Sequence, residues 1–317
     1  MSSIGAALTP SRLCPPRTLL AAKALGPASV VVAAAHSETA LQSVVWGIEF
    51  GIVTPILVGD LDRIRALAQA HGWDLSAARL IAAASDQEAA ELAVGLARAG
   101  EARLLMKGHL HTDVLMRAVL DPAQGLRQAR RLTHAFHLTW PGAARDLLIS
   151  DAAINVAPDQ ETRRHIVRHA VALARALGPD LPRVALLSAT EEVNAAMPSS
   201  LAAAAFIEAY GAEARGWGCE IAGPLALDVA LSEEAARIKG LVDHPVAGRA
   251  NVLIVPNIET GNALFKALVH LLHATAAGLV LGARVPIVLT SRADPAEARL
   301  SSLALARILA GAPPVDG

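Results

Sequence analysis

Ser291 and Arg292 follow directly after an apolar run that is typical of a buried strand. A guanidinium at the end of a strand can donate hydrogen bonds to a phosphate or to a developing oxyanion, and a hydroxyl can contact a polar ligand atom. Behind them, Asp294, Pro295 and Glu297 predict the start of a helix, as N-cap, N1 and N3 respectively. Helix capping alone accounts for the presence of Asp294 and Glu297, so neither residue needs a role in a reaction. It does not explain Ser291 and Arg292, which are therefore candidate catalytic residues.

A second group of polar side chains lies between Met106 and Leu120. A strand is predicted to end just before Lys107, and Thr112 is predicted to be the N-cap of a helix with an apolar face. Lys107, Thr112 at the helix N-terminus and Arg117 could together bind an anionic substrate group. The alternative is that Arg117 only forms an ion pair with Asp113, one turn away on the same helix.

Two further loops carry polar groups directly after predicted strands. Asp151 and Asn155 lie in one of these loops, and Glu259 and Asn262 lie in the other. Ligands of open α/β sheets bind where strands end and helices begin, so Asn155, Glu259 and Asn262 are candidate substrate contacts. Asp and Asn are also common in turns, and Asn262 could be a helix cap and nothing more.

Short, unalternating apolar runs recur along the chain and predict strands that are covered on both faces. These runs are Val30 to Ala35, Ile56 to Val58, Leu104 to Met106, Leu147 to Ile149, Val184 to Leu187, Val252 to Val255, Gly278 to Leu281 and Pro286 to Leu289. Segments of helical periodicity separate them, and in Thr162 to Leu177 the arginines are predicted to face solvent: Arg163, Arg164, Arg168 and Arg175. This alternation predicts an α/β fold with doubly wound parallel sheets.

The length of 317 residues suits two moderate domains better than one small core. The best linker signal is Trp140-Pro141-Gly142, and the chain is predicted to return near Val285-Pro286. The predicted division is residues 1–139 and 288–317 for the first domain and residues 140–287 for the second.

Composition and missing motifs exclude several function classes. A net charge of -1 and 3% aromatic residues argue against a nucleic-acid-binding surface. No run approaches the ~18 apolar residues of a membrane span and no signal-peptide pattern is present, so we expect a cytoplasmic protein. Cys14 and Cys219 form no CxxC pair and are expected to be buried and reduced. Dinucleotide, P-loop and GxSxG motifs are absent, and the histidine pairs lack an HExxH pattern, so no metal site is expected.

Several segments resemble, in the same order, those of the phosphate acetyl/butyryltransferases. They are KGHLHTDVLMRAVL from Lys107, SDAAINVAPD from Ser150, GPLALD from Gly223, KGLVDHPVAGRANVLIVPNIETGN from Lys239 and PIVLTSRAD from Pro286. The similarity extends from about Leu104 to Leu305. It implies two α/β domains around a cleft, the second inserted in the first, in a homodimer. It also implies reversible transfer of a short acyl group, acetyl or butyryl, between CoA and inorganic phosphate, with no metal or nicotinamide cofactor.

The resemblance also implies roles for individual residues. Ser291 matches the family serine that hydrogen-bonds the CoA sulfur, and Arg292 matches the arginine that steadies phosphate and the tetrahedral oxyanion. Arg117 matches an arginine of the phosphate-side helix. Attack of phosphate on a thioester builds negative charge on oxygen and then on sulfur, so a fixed cation and a hydroxyl donor suit the reaction.

The sequence departs from the family pattern at the proposed base. Acetyltransferase members have an aspartate several residues after the Ser-Arg pair, where this chain has Ala296-Glu297-Ala298. Asp294 is the favoured base and Glu297 is the alternative. Two other functions stay open: a non-catalytic CoA-binding regulatory protein, and a hydroxy-acid dehydrogenase of related architecture. The dehydrogenase would need a metal-binding aspartate cluster and a nucleotide loop, and neither is found in the sequence.

Overall fold

A computed structural model describes residues 16–143, 145–178, 180–290 and 294–312. The chain divides into two compact units. The first combines the described residues up to Arg130 with Thr275–Ala312, and the second comprises Arg131–Ala274. Strands and helices alternate in both units, so the predicted α/β class is confirmed.

The first unit is a sheet flanked by helices. Its strands are β1 (Ala28–Ala33), β2 (Val53–Gly59), β3 (Arg79–Ala82), β4 (Leu104–Lys107), β10 (Thr275–Leu281) and β11 (Ile287–Val288). Its helices are α1 (Pro16–Ala24), α2 (Glu38–Glu49), α3 (Leu61–His71), α4 (Asp86–Arg98), α5 (Thr112–Leu120) and α11 (Ala296–Gly311). The strand order is β3-β2-β1-β4-β11-β10. β4 pairs in parallel with both β1 and β11, so its carboxyl end lies in the middle of the sheet.

The second unit contains strands and helices in alternation. Its strands are β5 (Thr133–Thr139), β6 (Leu147–Ser150), β7 (Arg183–Leu187), β8 (Glu220–Leu225) and β9 (Val252–Ile254). Its helices are α6 (Gln160–Leu177), α7 (Pro198–Gly216), α8 (Leu227–Leu231), α9 (Glu233–Ile238) and α10 (Ile258–Leu271). The strand order is β5-β6-β9-β7-β8, and β6, β9, β7 and β8 run parallel.

Two strand pairs depart from the parallel arrangement of the predicted sheets. β10 and β11 are antiparallel, with Leu279 opposite Val288, and β5 and β6 are antiparallel, with Ala135 opposite Ser150. Each pair is joined by a short segment without a helix. Parallel neighbours need a crossover of a dozen residues or so, which these connections are too short to provide.

The second unit begins and ends earlier in the sequence than the predicted second domain. The division falls after Arg130 and after Ala274, whereas the predicted second domain spans 140–287. β5 is paired with β6, which also lies in the second unit, and β10 is paired with β11, which also lies in the first.

Two helices start one residue away from the predicted positions. Thr112 is the first residue of α5 and His111 is its N-cap, with no side-chain hydrogen bond to the helix. Pro295, not Asp294, is the N-cap of α11, because its extended backbone with ψ 165° delays the first helical residue to Ala296. The capping roles predicted for Thr112 and Asp294 are therefore wrong.

The predicted solvent face of α6 is partly buried. Arg163 and Arg168 are buried, while Arg164 forms an ion pair with Glu213 of α7. Arg163 Nη1 donates to the carbonyl of Ala202 over 3.5 Å. The prediction assumed that this helix has one exposed face, but α7 packs along it and covers the stems and guanidinium groups of these arginines.

Among the described residues, no helix combines the length and the apolar character needed to cross a membrane. Cys219 is buried, as predicted, and burial raises the pKa of its thiol to about 12. Such a thiol is unreactive at neutral pH. Cys14 lies outside the described residues.

Candidate active site

Lys107 ends β4 in the interior of the first unit. Its side chain is 2% exposed, and its Nζ donates to the carbonyl of Leu110 over 3.1 Å. The next residue, Gly108, donates its N–H to Ala33 O over 2.8 Å. A Cβ on Gly108 would lie 2.2 Å from the carbonyl oxygen of Ala34, so this position has no room for a side chain. Lys107 is thus a fixed cation at the carboxyl end of the central strand.

The carboxyl end of β11 lies beside that of β4 in the sheet. Val288 of β11 lies opposite Met106 of β4 in the parallel register, and Thr290 is buried two residues further on. Ser291 and Arg292 lie outside the described residues. The chain therefore leaves β11 at the strand end where parallel sheets bind their ligands.

Asp294 and Arg299 interact at the start of α11. Arg299 is 2% exposed, and its Nη1 lies 3.4 Å from the carbonyl oxygen of Lys107. Burial lowers the pKa of Arg299, and the carboxylate of Asp294 opposes this effect. Asp294 itself is half-exposed. The start of α11 thus brings a solvent-accessible carboxylate close to a buried cation.

Arg299 was not among the predicted site residues. The signal was present in the sequence, because Ala296, Arg299, Leu300 and Leu303 follow the helical i, i+3, i+4 spacing. All of them are buried. A cation on the apolar stripe of a helix is expected to be buried and to need a charged partner, and Asp294 is a carboxylate close to it in the sequence.

Arg117 lines a groove between α4 and α5. The groove has a volume of about 600 Å³, and its polar lining includes Glu88, Glu91, Glu101 and Asp121. Neither Lys107 nor Thr112 lines it. The structure thus does not unite the predicted anion-binding residues in one pocket, because the side chain of Lys107 points into the core and that of Arg117 lies on the surface.

Asp151 organises the loop after β6 in the second unit. Its Oδ2 accepts from His134 N over 2.9 Å and from Asn155 Nδ2 over 2.6 Å. Its Oδ1 accepts from the N–H groups of Ala153 and Ile154, both over 3.0 Å. Asp151 is therefore occupied by the loop itself. Asn155 also donates to Leu132 O over 3.0 Å, which fixes its side chain beside Asp151.

The polar segment after β9 is helical, where a loop was predicted. Asn257 is the N-cap of α10 and accepts from Thr260 N over 2.9 Å. Glu259 is exposed and Asn262 is half-exposed in the first turns of the helix. The possible cap role of Asn262 is therefore wrong. Ile258 N donates to Val156 O over 2.9 Å, which ties the start of α10 to the loop that carries Asn155.

The paired histidines are divided between core and surface: three are buried and one is half-buried, whereas His109, His111, His270 and His273 are exposed. His134 and His137 are buried in β5, and burial lowers the pKa of His134 to about 4 against a smaller opposing effect of Asp151. Thr133 Oγ1 lies 2.9 Å from His169 Nδ1. Within the described ranges, no three His, Cys, Asp or Glu side chains are grouped so that they could hold a metal ion.

Comparison with known proteins gives consistent matches. The family model described as Phosphate acetyl/butaryl transferase matches residues 82–307. A phosphate acetyltransferase of Rhizobium meliloti is 48% identical over 294 residues, covering 93% of this chain and 92% of its own length. A phosphate butyryltransferase of Clostridium acetobutylicum is 38% identical over 282 residues, covering 89% and 93% respectively. The crystal structure of a branched-chain phosphotransacylase from Enterococcus faecalis V583 is similar with a TM-score of 0.79 and 31% identity, over 89% of this chain and 99% of that one.

Proposed function

The chain belongs to the Phosphate acetyl/butaryl transferase family, and we propose that it interconverts a short-chain acyl-CoA plus inorganic phosphate with an acyl phosphate plus CoA. The observation that supports this proposal most strongly is the 48% identity over 294 residues to a phosphate acetyltransferase. It is an acyltransferase. Both acetyl and butyryl enzymes are among its relatives, so the acyl group is proposed to be short.

The proposed reaction is direct attack of phosphate on the thioester in a ternary complex. Ser291 donates a hydrogen bond to the CoA sulfur, and Arg292 binds phosphate and the oxyanion of the tetrahedral intermediate. Support comes from the match of both residues to the family pattern and from the carboxyl end of β11, which precedes them in the chain. A bond forms between a phosphate oxygen and the acyl carbon, and the bond between that carbon and the CoA sulfur breaks. The thiolate leaves with the negative charge that Ser291 stabilises.

Asp294 is the proposed proton carrier, with Glu297 as the alternative. In the direction of acyl-CoA synthesis the CoA thiol must lose a proton before it attacks the acyl phosphate. Support for Asp294 comes from its half-exposed carboxylate. Its charge interacts with the buried guanidinium of Arg299.

The other predicted contacts are proposed to bind substrate around this centre. Arg117 is proposed to bind phosphate from the surface of α5, and Lys107 to contribute positive potential from the interior. Thr112 at the start of α5 is proposed as a polar contact. Asn155, Glu259 and Asn262 are proposed to contact acyl-CoA from the second unit. We further propose a cytoplasmic homodimer that needs no metal or redox cofactor.

The test is thiol release from acetyl-, propionyl- and butyryl-CoA, with and without phosphate, in the presence of a chelator. We expect release that depends on phosphate, with an acyl phosphate formed in equal amount. The three rates rank the acyl chains. Arg292→Ala is expected to reduce turnover by orders of magnitude while the fold is retained. Binding of CoA by calorimetry without any turnover would instead favour the non-catalytic regulatory protein.

A further inference from the structure

The groove between α4 and α5 has the size of a ligand-binding site. Its volume of about 600 Å³ lies within the range of roughly 300–1,000 Å³ that is typical of pockets for small molecules. α4 contributes Glu88, Glu91, Leu92 and Gly95 to the lining. These residues follow the helical i, i+3, i+4, i+7 spacing, so they share one face of α4. That face therefore borders the groove along about two helical turns.

Gly95 forms an open part of the groove floor. It lies in the interior of α4, where glycine is less favourable than alanine. Close packing does not require a glycine there, because a Cβ at this position would meet no neighbouring side chain and no other element within 4 Å. A molecule that lies across α4 at Gly95 can therefore approach the helix backbone closely.

The apolar surface of the groove suits a small molecule better than a protein partner. Leu92 is 36% exposed, and it is the only large apolar side chain of the lining that is exposed. Leu96 is half-exposed, whereas Val94 and Ala118 are buried. Protein partners usually cover a contiguous apolar patch made by several side chains. A narrow apolar floor is sufficient for the hydrocarbon part of a small ligand.

Charge complementarity indicates which kind of small molecule fits the groove. Four carboxylates line it, and Arg117 is the only cation of the lining. One of the four carboxylates, Glu101, pairs with Arg79 at 2.6 Å. Three carboxylates remain that form no ion pair with any described residue: Glu88, Glu91 and Asp121. Three carboxylates outweigh one guanidinium, so the groove is negative overall and suits a cation.

The carboxylates of α4 are held in place and still have oxygens to offer. Gln87 Nε2 donates to Glu91 Oε1 over 2.6 Å, and Ala84 N donates to Glu88 Oε2 over 2.7 Å. The second oxygen of each carboxylate has no hydrogen-bond partner among the described residues. An ammonium group can therefore bind to Glu88 and Glu91 without displacing an existing contact.

We propose that the groove between α4 and α5 binds an aliphatic diamine, whose hydrocarbon chain lies over Leu92 and Gly95 and whose ammonium groups pair with the carboxylates of the lining. One ammonium group binds Glu88 and Glu91, which are one helical turn apart, and the other is available to Asp121. Two positive charges balance three carboxylates and one guanidinium. The hydrocarbon chain covers apolar surface that is exposed to water in the free protein.

The first test compares three six-carbon molecules by titration calorimetry. They are hexamethylenediamine, hexamethylene glycol and adipate, which carry two positive charges, no charge and two negative charges respectively. Hexamethylenediamine is expected to bind with a Kd on the order of 0.1–1 mM. The glycol is expected to bind on the order of tenfold more weakly, and adipate more weakly still. Added salt should weaken binding of the diamine, because the carboxylates of the groove are exposed.

The second test removes charge from the α4 side of the groove. Glu88→Gln combined with Glu91→Gln is expected to weaken binding of hexamethylenediamine on the order of tenfold, because two exposed pairings are lost. The amide oxygen of Glu88→Gln can still accept the N–H of Ala84, so the start of α4 is retained. Glu192→Gln combined with Glu208→Gln is the matched control, since both residues are exposed in the other unit. The control should bind the diamine as wild type does.

The third test fills the floor of the groove. Gly95→Leu adds an isobutyl group that occupies the groove, so binding of hexamethylenediamine should weaken on the order of tenfold or more. The melting temperature should stay equal or rise, because leucine is a better helix former than glycine. Gly216→Leu at the end of α7 is the matched control, since a Cβ there would also meet nothing within 4 Å. Weaker binding at an undiminished melting temperature separates a filled groove from a loss of folding.

Four results would overturn the proposal. Three of them are no saturable binding of hexamethylenediamine in the millimolar range, equal or tighter binding of the glycol or of adipate, and unchanged affinity in Gly95→Leu. The fourth is a molar mass that differs between wild type and Gly95→Leu in sedimentation, because a second copy of the chain would then occupy the groove. The proposal goes beyond acyl transfer, and none of these measurements uses enzymatic activity. A failure of this site is therefore distinct from a failure of the proposed function.

Discussion

At the scale of single residues, the candidate site is defined by which charged groups have partners inside the chain. Lys107 and Arg299 are buried cations whose carbonyl contacts fix them at the end of β4. The carboxylate of Asp151 is saturated by donors from its own loop and by His134 N of β5. Asp294 is half-exposed and Arg117 is exposed, so solvent reaches both. Chemistry with a diffusing substrate is therefore expected at Asp294 and Arg117.

Asp294→Asn is expected to lower kcat by roughly 10²- to 10⁴-fold, because an amide cannot accept the thiol proton. Pro295 remains the N-cap of α11 in this variant. The acidic limb of the pH–rate profile should disappear in this variant. Glu297→Gln is the matched control and should stay close to wild type. A large loss of rate in Glu297→Gln alone would assign the base to Glu297.

Arg117→Ala is expected to raise the KM for phosphate more than the KM for acyl-CoA. Other carboxylates of its groove already have partners, since Glu101 pairs with Arg79 and Asp121 accepts backbone N–H groups. Among the described residues, Arg117 has no ion-pair partner, which leaves its guanidinium available to an anion. Steady-state kinetics with each substrate varied in turn measures this. Equal increases in both KM values would contradict a phosphate-side role.

His134 is expected to make the protein less stable as the pH falls. Its pKa is about 4 in the folded protein and about 6.5 in the unfolded chain, so only the unfolded chain binds the proton between these values. The free energy of unfolding should therefore be fully retained above about pH 6.5 and fall by up to about 3 kcal/mol as the pH approaches 4. Urea unfolding at several pH values measures this loss. His134→Gln should show a flatter dependence, and an unchanged slope would contradict the assignment.

At the scale of elements, the strands that were predicted are those buried as continuous apolar runs. The strands that were missed have another composition. β5 contains buried His134 and His137, β8 contains Gly223-Pro224, and β3 is short and largely uncovered. Hydrophobic periodicity cannot find a strand whose polar side chains are buried through tertiary hydrogen bonds. The same limit explains why burial of Arg163 by α7 was not predicted.

The strand end at Lys107 could be predicted from the local sequence, because a polar group follows an apolar run there. Lys107 is the last residue of β4. The contact of Arg299 with the carbonyl of Lys107 joins residues that are far apart in sequence. Such a contact is set by how α11 packs on the sheet. Local patterns in a single sequence do not indicate how α11 packs on the sheet.

Gly108→Ala is expected to destabilise the protein by several kcal/mol and to reduce activity, because its Cβ would meet the backbone of Ala33 and Ala34. Displacing this turn would also move Lys107. Gly95→Ala in α4 is the matched control, since its Cβ would meet nothing within 4 Å. That change should be neutral or stabilising by up to about 1 kcal/mol. Equal melting temperatures for both variants would contradict the close approach at Gly108.

At the scale of the whole molecule, the two units differ in how the chain builds them. The second unit is one continuous segment, Arg131–Ala274. The first unit needs both flanking segments, because β11 lies between β4 and β10 in its sheet and α11 packs on β10 and α2. The second unit should therefore be an independent folding unit, whereas the N-terminal segment should not.

A fragment of residues 131–274 is expected to fold cooperatively and to lack acyl transfer, because it contains neither Asp294 nor the Ser-Arg pair. A fragment ending at Arg130 is expected to stay without fixed structure, because its sheet lacks β10 and β11 and the cover of α11. Circular dichroism during urea unfolding distinguishes the two. A cooperative transition in the N-terminal fragment would contradict the dependence of the first unit on the C-terminal segment.

The discontinuous first unit also sets an order of events during synthesis. When the ribosome has made β1 to β4, the edge of β4 has no β11 to pair with, and it stays open until translation has passed Val288. At 5–20 residues per second that interval is roughly 10–40 s, during which the second unit can already fold. Nascent chains would thus carry an unpaired central strand next to a finished unit. Chaperones that bind short apolar segments should meet this protein at β4, and they should release it only once β11 emerges.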